Sequence, residues 1–386
     1  MKILLAATST EDFSGASKCL LELASSLTRH GQEVVVSLPK VGGSIEAVLF
    51  EKNIPFVVMR EYQCWYKEKN ETLSPITIAL KRVMNEITVA KCRKYLRIER
   101  FDIVHVNALT AYVVGKAAIL ENIPVVWHIR EFMEEDLGIS FIDSTYSFEL
   151  LNRATQFIAI SQPICNKWSA QLQVPVTVVH DGVPVKDYYV DNNSVHETVN
   201  VLLYGRVVPG KGQLFYVQAA ENILRNISVP CTFYFAGKSE DEDYFNNCMQ
   251  SIQQSGQEEH IKYLGQISDI QNLLRDTDIV CVCSTKEGFG RVTVESMLGN
   301  CLIVGAASGA TTELIQDGVN GILYQPNNQD DFCKKLTACI EHFDKYTNIV
   351  ESGQKYALTN FTDEKNVEEI LSVYKNVICI DKNNFI

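Results

Sequence analysis

Short apolar runs alternate with helix-length stretches along the whole chain, and the scheme is run through twice. In the first half, runs rich in β-branched residues fall at 2–7, 33–38, 56–59, 103–106, 125–128, 157–160 and 176–179. The second half repeats the pattern at 200–204, 231–236, 261–264, 278–282, 301–304 and 321–324. Runs this short, separated by helices, predict parallel strands covered on both faces. The fold class that follows is α/β, with two doubly wound Rossmann-like domains facing a cleft, because ligands on such sheets bind beyond the carboxyl ends of the strands. The polar segment 181–198, with Gly182, Pro184 and Asn192-Asn193-Ser194, reads as the hinge. The expected domains are 1–183 and 184–362. The stretch 361–374 reads as an amphipathic helix capped by Thr362 or Asp363, and 363–386 is expected to pack back across the interdomain region.

Composition narrows the class. At 386 residues there is enough chain for two ordinary cores. A hydrophobic content of 46% and a charged content of 21% are those of a globular protein. No apolar stretch approaches a membrane span, and the N-terminus reads as a first strand rather than a secretion signal. The twelve cysteines are scattered, without a Cys-x-x-Cys pair, and several sit in apolar runs (Cys281, Cys283, Cys301). They read as reduced core residues of a cytoplasmic protein. The net charge of −12 is uneven. Up to Val183 nineteen basic residues face twenty acidic ones; beyond it sixteen face twenty-seven. An acidic second half argues against nucleic acid as a partner, and an anionic ligand there needs dedicated local cations.

The chemistry concentrates in Glu287-Gly-Phe-Gly-Arg-Val-Thr-Val-Glu295, which follows the apolar run ending at Cys283 and precedes a helical stretch. Gly288, Phe289 and Gly290 form a turn whose glycines let backbone N–H groups approach a ligand, and a helix start at Arg291, Val292 and Thr293 favours anions. Each carboxylate can accept hydroxyls, so the pair suits two polyols with a phosphate between them. Gly205-Arg206-Val-Val-Pro-Gly210-Lys211-Gly212 follows the first strand of the second half and places a guanidinium and an ammonium where a diphosphate would want them. A turn with two solvated cations is the plainer reading of that loop. His128 closes the run at 125–128 at a strand's carboxyl end; a core histidine is the alternative. Ser14-Gly15-Ala16-Ser17 opens the first helix and offers backbone N–H groups, or is a simple helix cap. It lacks the dinucleotide fingerprint, which argues against a dehydrogenase. The helical stretch 74–100 carries Lys81, Arg82, Lys91, Arg93, Lys94, Arg97 and Arg100 against Glu86 and Glu99. It reads either as a solvated face or as a peripheral contact with an anionic membrane.

Taken together, these residues resemble the retaining GT-B glycosyltransferases of the group 1 family (family four), over nearly the whole chain. The family's Glu-x-seven-Glu element matches Glu287 and Glu295, and its phosphate-gripping loop matches Gly205, Arg206 and Lys211. Its first-strand glycine loop resembles Gly15 and Ala16, and its N-domain histidine resembles His128. His180-Asp-Gly-Val183, Ser308-Gly-Ala-Thr-Thr-Glu313 and Gly318-x-x-Gly321 resemble further family segments. Arg291 stands where an apolar residue is frequent, and His180 replaces the usual Asn.

The resemblance implies transfer of a hexose from a UDP-sugar, or a GDP-sugar, with retention at the anomeric carbon. The first domain then serves the acceptor, a glycan or lipid-linked saccharide, and the second the nucleotide-sugar. No cofactor or metal is expected, since no Asp-x-Asp metal element is evident; the nearest acidic cluster, Glu240-Asp-Glu-Asp243, reads as a solvated helix start. Charge on the departing diphosphate falls to Arg206, Lys211 and the amides at 291–293. Glu295 would hold the ribose, Glu287 and the amides of 288–290 the hexose, and His128 would reach the sugar from the other domain. Acceptor contacts are expected from the long loops 60–73 and 130–143. The rival readings are a sugar-nucleotide epimerase of the same fold and a non-catalytic nucleotide-sugar-binding scaffold.

Overall fold

The computed structural model describes residues 1–11, 15–69, 71, 74–191 and 197–383. Ser14 of the first glycine loop and Asn192, Asn193 and Ser194 of the expected hinge lie outside them. The chain divides into two compact units. One comprises Met1–Gly182 together with Asp363–Ile386; the other is Val183–Thr362.

The first unit is built on a seven-stranded parallel sheet. Its strands, with a separate pair counted in chain order, are β1 (Lys2–Ala6), β2 (Glu33–Leu38), β3 (Phe56–Val58), β4 (Tyr66–Glu68), β5 (Ile103–Val106), β6 (Val125–Ile129), β7 (Ile139–Phe141), β8 (Gln156–Ala159) and β9 (Val176–Val178). The sheet order is β3-β2-β1-β5-β6-β8-β9, so the chain works outward from β1 and then restarts on its other side at β5. The helices are α1 (Gly15–Arg29), α2 (Ser44–Glu51), α3 (Pro75–Glu99), α4 (Val113–Leu120), α5 (Ser144–Leu151) and α6 (Gln162–Ser169).

The long loops 60–73 and 130–143 are joined to one another. Strands β4 and β7 pair antiparallel, Tyr66 opposite Phe141 and Glu68 opposite Ile139. Trp65 anchors them: its ring stacks on Tyr112 at 4.5 Å and its Nε1 donates to Leu109 O at 2.8 Å. Glu61, just before this strand, caps α4 by accepting from the backbone N–H of Tyr112 (3.1 Å) and Val113 (3.4 Å). Burial nevertheless pushes its carboxyl up to about 7.

The second unit carries a six-stranded parallel sheet of β10 (Val199–Tyr204), β11 (Cys231–Ala236), β12 (Ile261–Tyr263), β13 (Ile279–Val282), β14 (Leu302–Ala306) and β15 (Ile322–Tyr324), in the order β12-β11-β10-β13-β14-β15. Its helices are α7 (Gln213–Leu224), α8 (Glu242–Ser255), α9 (Ile270–Arg275), α10 (Arg291–Leu298), α11 (Thr311–Leu314), α12 (Gln329–Glu341) and α13 (Thr347–Asn360). Several of these start where an Asp or Asn side chain takes up an orphan amide. Asp241 accepts from Tyr244 N at 2.9 Å and Asn328 from Asp331 N at 3.0 Å. The acidic run 240–243 is a helix start whose cap is Asp241, and its exposed Glu240 enters the ion pair described below.

The last helix, α14 (Asp363–Asn383), is longer than the amphipathic stretch read from sequence. It belongs to the first unit. Val367, Ile370, Leu371, Tyr374 and Val377, spaced by three and four, are buried in one core with Leu20, Leu23, Ala24 and Leu27 of α1. At its start Asp363 meets Arg29 at 2.7 Å.

Candidate functional site

In the second sheet the strand order reverses between the parallel neighbours β10 and β13, which is where doubly wound folds bind ligands. Three loops come together at the carboxyl ends there: 205–212 after β10, 283–290 after β13 and 307–310 after β14. Backbone bonds stitch them. Thr285 N donates to Gly210 O at 3.1 Å, and Ala310 N to Glu287 O at 3.0 Å. Ser308 Oγ donates to Ser284 O at 3.1 Å. Two glycines permit the contact. A Cβ on Gly212 (φ +76°) would lie 2.4 Å from Cys283 O, and one on Gly309 (φ +54°) would lie 2.5 Å from Glu287 O and 2.7 Å from its N.

The stitched loops carry the predicted residues. Gly205 follows β10 directly and donates its N–H to Ala236 O at 3.0 Å. Lys211 Nζ lies 2.6 Å from Glu287 Oε1, and Ser284 Oγ donates to the same oxygen at 2.5 Å. Both bonds fall on Oε1, which leaves Oε2 for another donor. Burial raises the Glu287 carboxyl, but the Lys211 charge, the bonds from Lys211 and Ser284, and the Arg206 charge outweigh it and hold the group below its usual value. Glu287 is therefore an acceptor at neutral pH and has no proton to give. Arg206 pairs with Glu240 through Nη1 at 2.9 Å and keeps its guanidinium half exposed.

Phe289 is buried, its ring 5.8 Å from Phe361, and so braces the turn of Gly288 and Gly290. Gly290 is the N-cap of α10. Of the three amides expected at this helix start, that of Thr293 already donates to Gly290 O at 2.9 Å. The buried Thr293 Oγ1 has no partner among the described residues. Glu295 lies one turn into the helix, 5% exposed. Arg291 clamps its Oε1 from 3.2 Å, and Tyr204 Oη donates to Oε2 at 3.3 Å and reaches Val292 O at 3.4 Å. Ser284, Tyr204 and Glu240 were not singled out in the sequence. Tyr204 ends β10 and Ser284 lies two residues beyond β13, positions at the carboxyl edge that could have flagged them; Glu240 stands in a run that reads as merely acidic.

In the first unit, Gly15 and Ala16 form the first turn of α1, and Asn107 Nδ2 donates to Ala16 O at 2.8 Å. His128 is inside β6 rather than at its end, and 1% exposed. It heads a buried chain of polar groups. Its Nδ1 is 3.3 Å from both Arg130 Nη2 and His105 Nε2, and Tyr374 Oη is 2.6 Å from His105 Nδ1. Arg130 is held by Asp181 at 2.6 Å and by Asn107. Burial, then the Arg130 charge, pulls His105 down to about 3 and His128 well below 6.5, so both rings are neutral. A guanidinium can only donate. His128 Nδ1 is therefore an acceptor and its proton sits on Nε2. His105 must then donate from Nε2, and Tyr374 to His105 Nδ1. His128 Nε2 is left as a buried N–H donor with no partner among the described residues. Three residues on, Glu131 accepts from Leu109 N at 2.6 Å and Arg130 N at 3.0 Å, while burial raises its carboxyl to about 7.

Among the described residues, no three His, Cys, Asp or Glu side chains are grouped so as to hold a metal ion. Comparison with known families matches "Glycosyl transferases group 1" over residues 187–356 and "Glycosyltransferase Family 4" over residues 13–187. The chain belongs to the group 1 glycosyltransferases. This glycosyltransferase is 23% identical over 306 residues to the Escherichia coli UDP-Gal:alpha-D-GlcNAc-diphosphoundecaprenol alpha-1,3-galactosyltransferase, covering 74% of this chain and 78% of the other. An uncharacterised glycosyltransferase of Methanocaldococcus jannaschii is 26% identical over 285 residues, 72% and 76% of the two chains. Among solved structures, Anabaena HepE in complex with UDP and glucose superposes with a TM-score of 0.79 at 25% identity, over 97% of this chain and all of that one. The fold of the transferase is GT-B, as in that structure.

Proposed function

We propose that this glycosyltransferase moves a hexose from a UDP-sugar to a glycan or lipid-linked saccharide, with retention and without a metal, in surface polysaccharide synthesis at the cytoplasmic face of a membrane. The observation that carries the reading is the stitched loop cluster of the second unit. It puts the ionised Glu287, Lys211, Arg206 and the Glu295–Arg291–Tyr204 group at one sheet edge. HepE is known in complex with UDP-glucose, and the E. coli relative uses UDP-Gal, which favours uridine over guanosine.

The residues divide the work by chemistry. Arg206 and Lys211 take the diphosphate, Lys211 having two further N–H donors beyond its bond to Glu287. Glu295 receives the ribose hydroxyls. Glu287 Oε2 accepts a hexose hydroxyl, and since the carboxylate stays ionised it orients the sugar rather than protonating a leaving group. His128 is assigned as an N–H donor to a hydroxyl oxygen of substrate. In the reaction the bond from the anomeric carbon to the diphosphate oxygen breaks, the acceptor oxygen bonds to that carbon from the same face, and the acceptor proton passes to the departing phosphate.

Glu287→Ala, Arg206→Ala and Lys211→Ala are each expected to lower transfer by ~10²-fold or more while the far-ultraviolet dichroism stays native. Near-normal transfer in all three would overturn the assignment, and so would conversion of the donor to another nucleotide-sugar with no acceptor present. A uridine donor at a hundred times its Kd should stabilise the protein by about 2.7 kcal/mol, read as a thermal shift that the guanosine analogue does not give.

A further inference from the structure

Helix α3 wears its apolar stripe on the outside. Its inward face is Asn85, Thr88, Val89, Cys92 and Leu96. The opposite face begins with Ile76, Leu80, Val83, Met84 and Ile87, which are 74%, 63%, 59%, 42% and 46% exposed. At 3.6 residues per turn these five fall on one line along the helix. The same line continues through Lys91 and Lys94, both exposed, to Ile98 at 65%. Single exposed hydrophobic residues need no explanation, but an unbroken stripe over three turns marks a surface that meets something apolar.

The charges beside the stripe say what that is. Glu121 takes up Arg93 and Arg97, at 2.6 and 2.5 Å, and Asp143 takes up Arg82 at 3.5 Å. Lys81, Lys91, Lys94 and Arg100 form no ion pair among the described residues. A protein with a net charge of −12 thus keeps four cations without an ion pair among the described residues on and beside this exposed apolar stripe. We propose that α3 is a membrane-docking helix. It lies in the plane of an anionic bilayer with Ile76, Leu80, Val83, Met84 and Ile87 in the acyl boundary and Lys91 and Lys94 at the phosphates. A second copy of the chain is a poorer occupant. Stripe on stripe, it would set the two lysines either against themselves or against apolar side chains, desolvated and without counter-charge. Among the described residues no helix is long and apolar enough to cross a membrane, so attachment through this face is peripheral.

The inference gives the membrane contact of the proposed function its surface and its mode, and it rests on that reading only for its purpose. Its test therefore leaves catalysis aside. The full chain should float with vesicles of phosphatidylcholine and phosphatidylglycerol at low salt and not with phosphatidylcholine alone. The double variant Leu80→Glu with Val83→Glu, and separately Lys91→Glu with Lys94→Glu, should each weaken flotation at least about tenfold. Val83→Trp should show blue-shifted emission on the anionic vesicles. No flotation with anionic vesicles, or flotation that L80E/V83E leaves unchanged, overturns the proposal. So does a dimer in sedimentation that L80E/V83E dissociates in a protein that ignores vesicles, which would give the stripe to a second copy. Loss of sugar transfer to a water-soluble acceptor with flotation intact would instead strike at the proposed function and leave the docking helix standing.

Discussion

Glu287 shows how a single carboxylate is tuned here. Burial favours its neutral form, and Lys211, Ser284 and Arg206 together reverse that preference. Because its folded pKa lies below the usual glutamate value, its ion pair contributes stability at neutral pH that is lost as the pH falls through the folded pKa. Lys211→Ala leaves the buried carboxylate without its cation, a loss on the order of 1–3 kcal/mol. Urea unfolding should find the gap between wild type and this variant widest at neutral pH and closing as the pH falls below the usual carboxylate range. A gap that does not change with pH would deny the pair this role. Arg291 is a second case at this scale. In a position where the resemblance leads one to expect an apolar side chain, it makes an i, i+4 pair with Glu295, side chains 12% and 7% exposed, and so fixes the carboxylate assigned to the ribose.

The loop after β14 positions the candidate site through backbone contacts with the Glu287 turn. Gly309 presses its bare Cα face against the backbone of Glu287, where a Cβ would meet O at 2.5 Å and N at 2.7 Å. Gly309→Ala must therefore push the Glu287 turn aside, while Gly256→Ala, also at positive φ (+66°) but with nothing near its Cβ, bears only the conformational cost of roughly 1 kcal/mol. The expected outcome is a loss of donor-induced thermal shift and of transfer in the first variant and retention of both in the second. Equal behaviour of the two would mean that the contact is not what places Glu287. The same element-level logic joins β4 to β7, whose pairing turns two loops that looked separate in sequence into one feature beside Trp65 and Tyr112.

At the scale of the molecule, the chain leaves its first unit at Gly182 and returns to it at Asp363. The return supplies five buried side chains to that unit's core and places Tyr374 on His105. Removing 363–386 should thus unfold or loosen the first unit selectively. Hydrogen exchange should rise in β1, α1 and β5 and stay low in β10, β11 and β13. Uniform loss of protection across both units, or none in either, would contradict this division of the core.

The sequence by itself determined the parallel α/β class, the two-fold repetition of the scheme and the loops that carry Glu287, Arg206 and Lys211. Strand period, helix period and glycine turns are local properties that a few neighbouring residues fix. What only the tertiary structure decided was partnership over distance. Lys211 meets Glu287 across 76 positions, Tyr204 meets Glu295 across 91, and Tyr374 meets His105 across 269. No local pattern encodes such contacts, because the sheet order brings the residues together. The outward turn of the α3 stripe was hidden for the same reason. Periodicity reveals that a helix has an apolar line, but whether the line faces the core or the solvent depends on which side the rest of the unit packs against, and here it packs against the side of Asn85, Cys92 and Leu96.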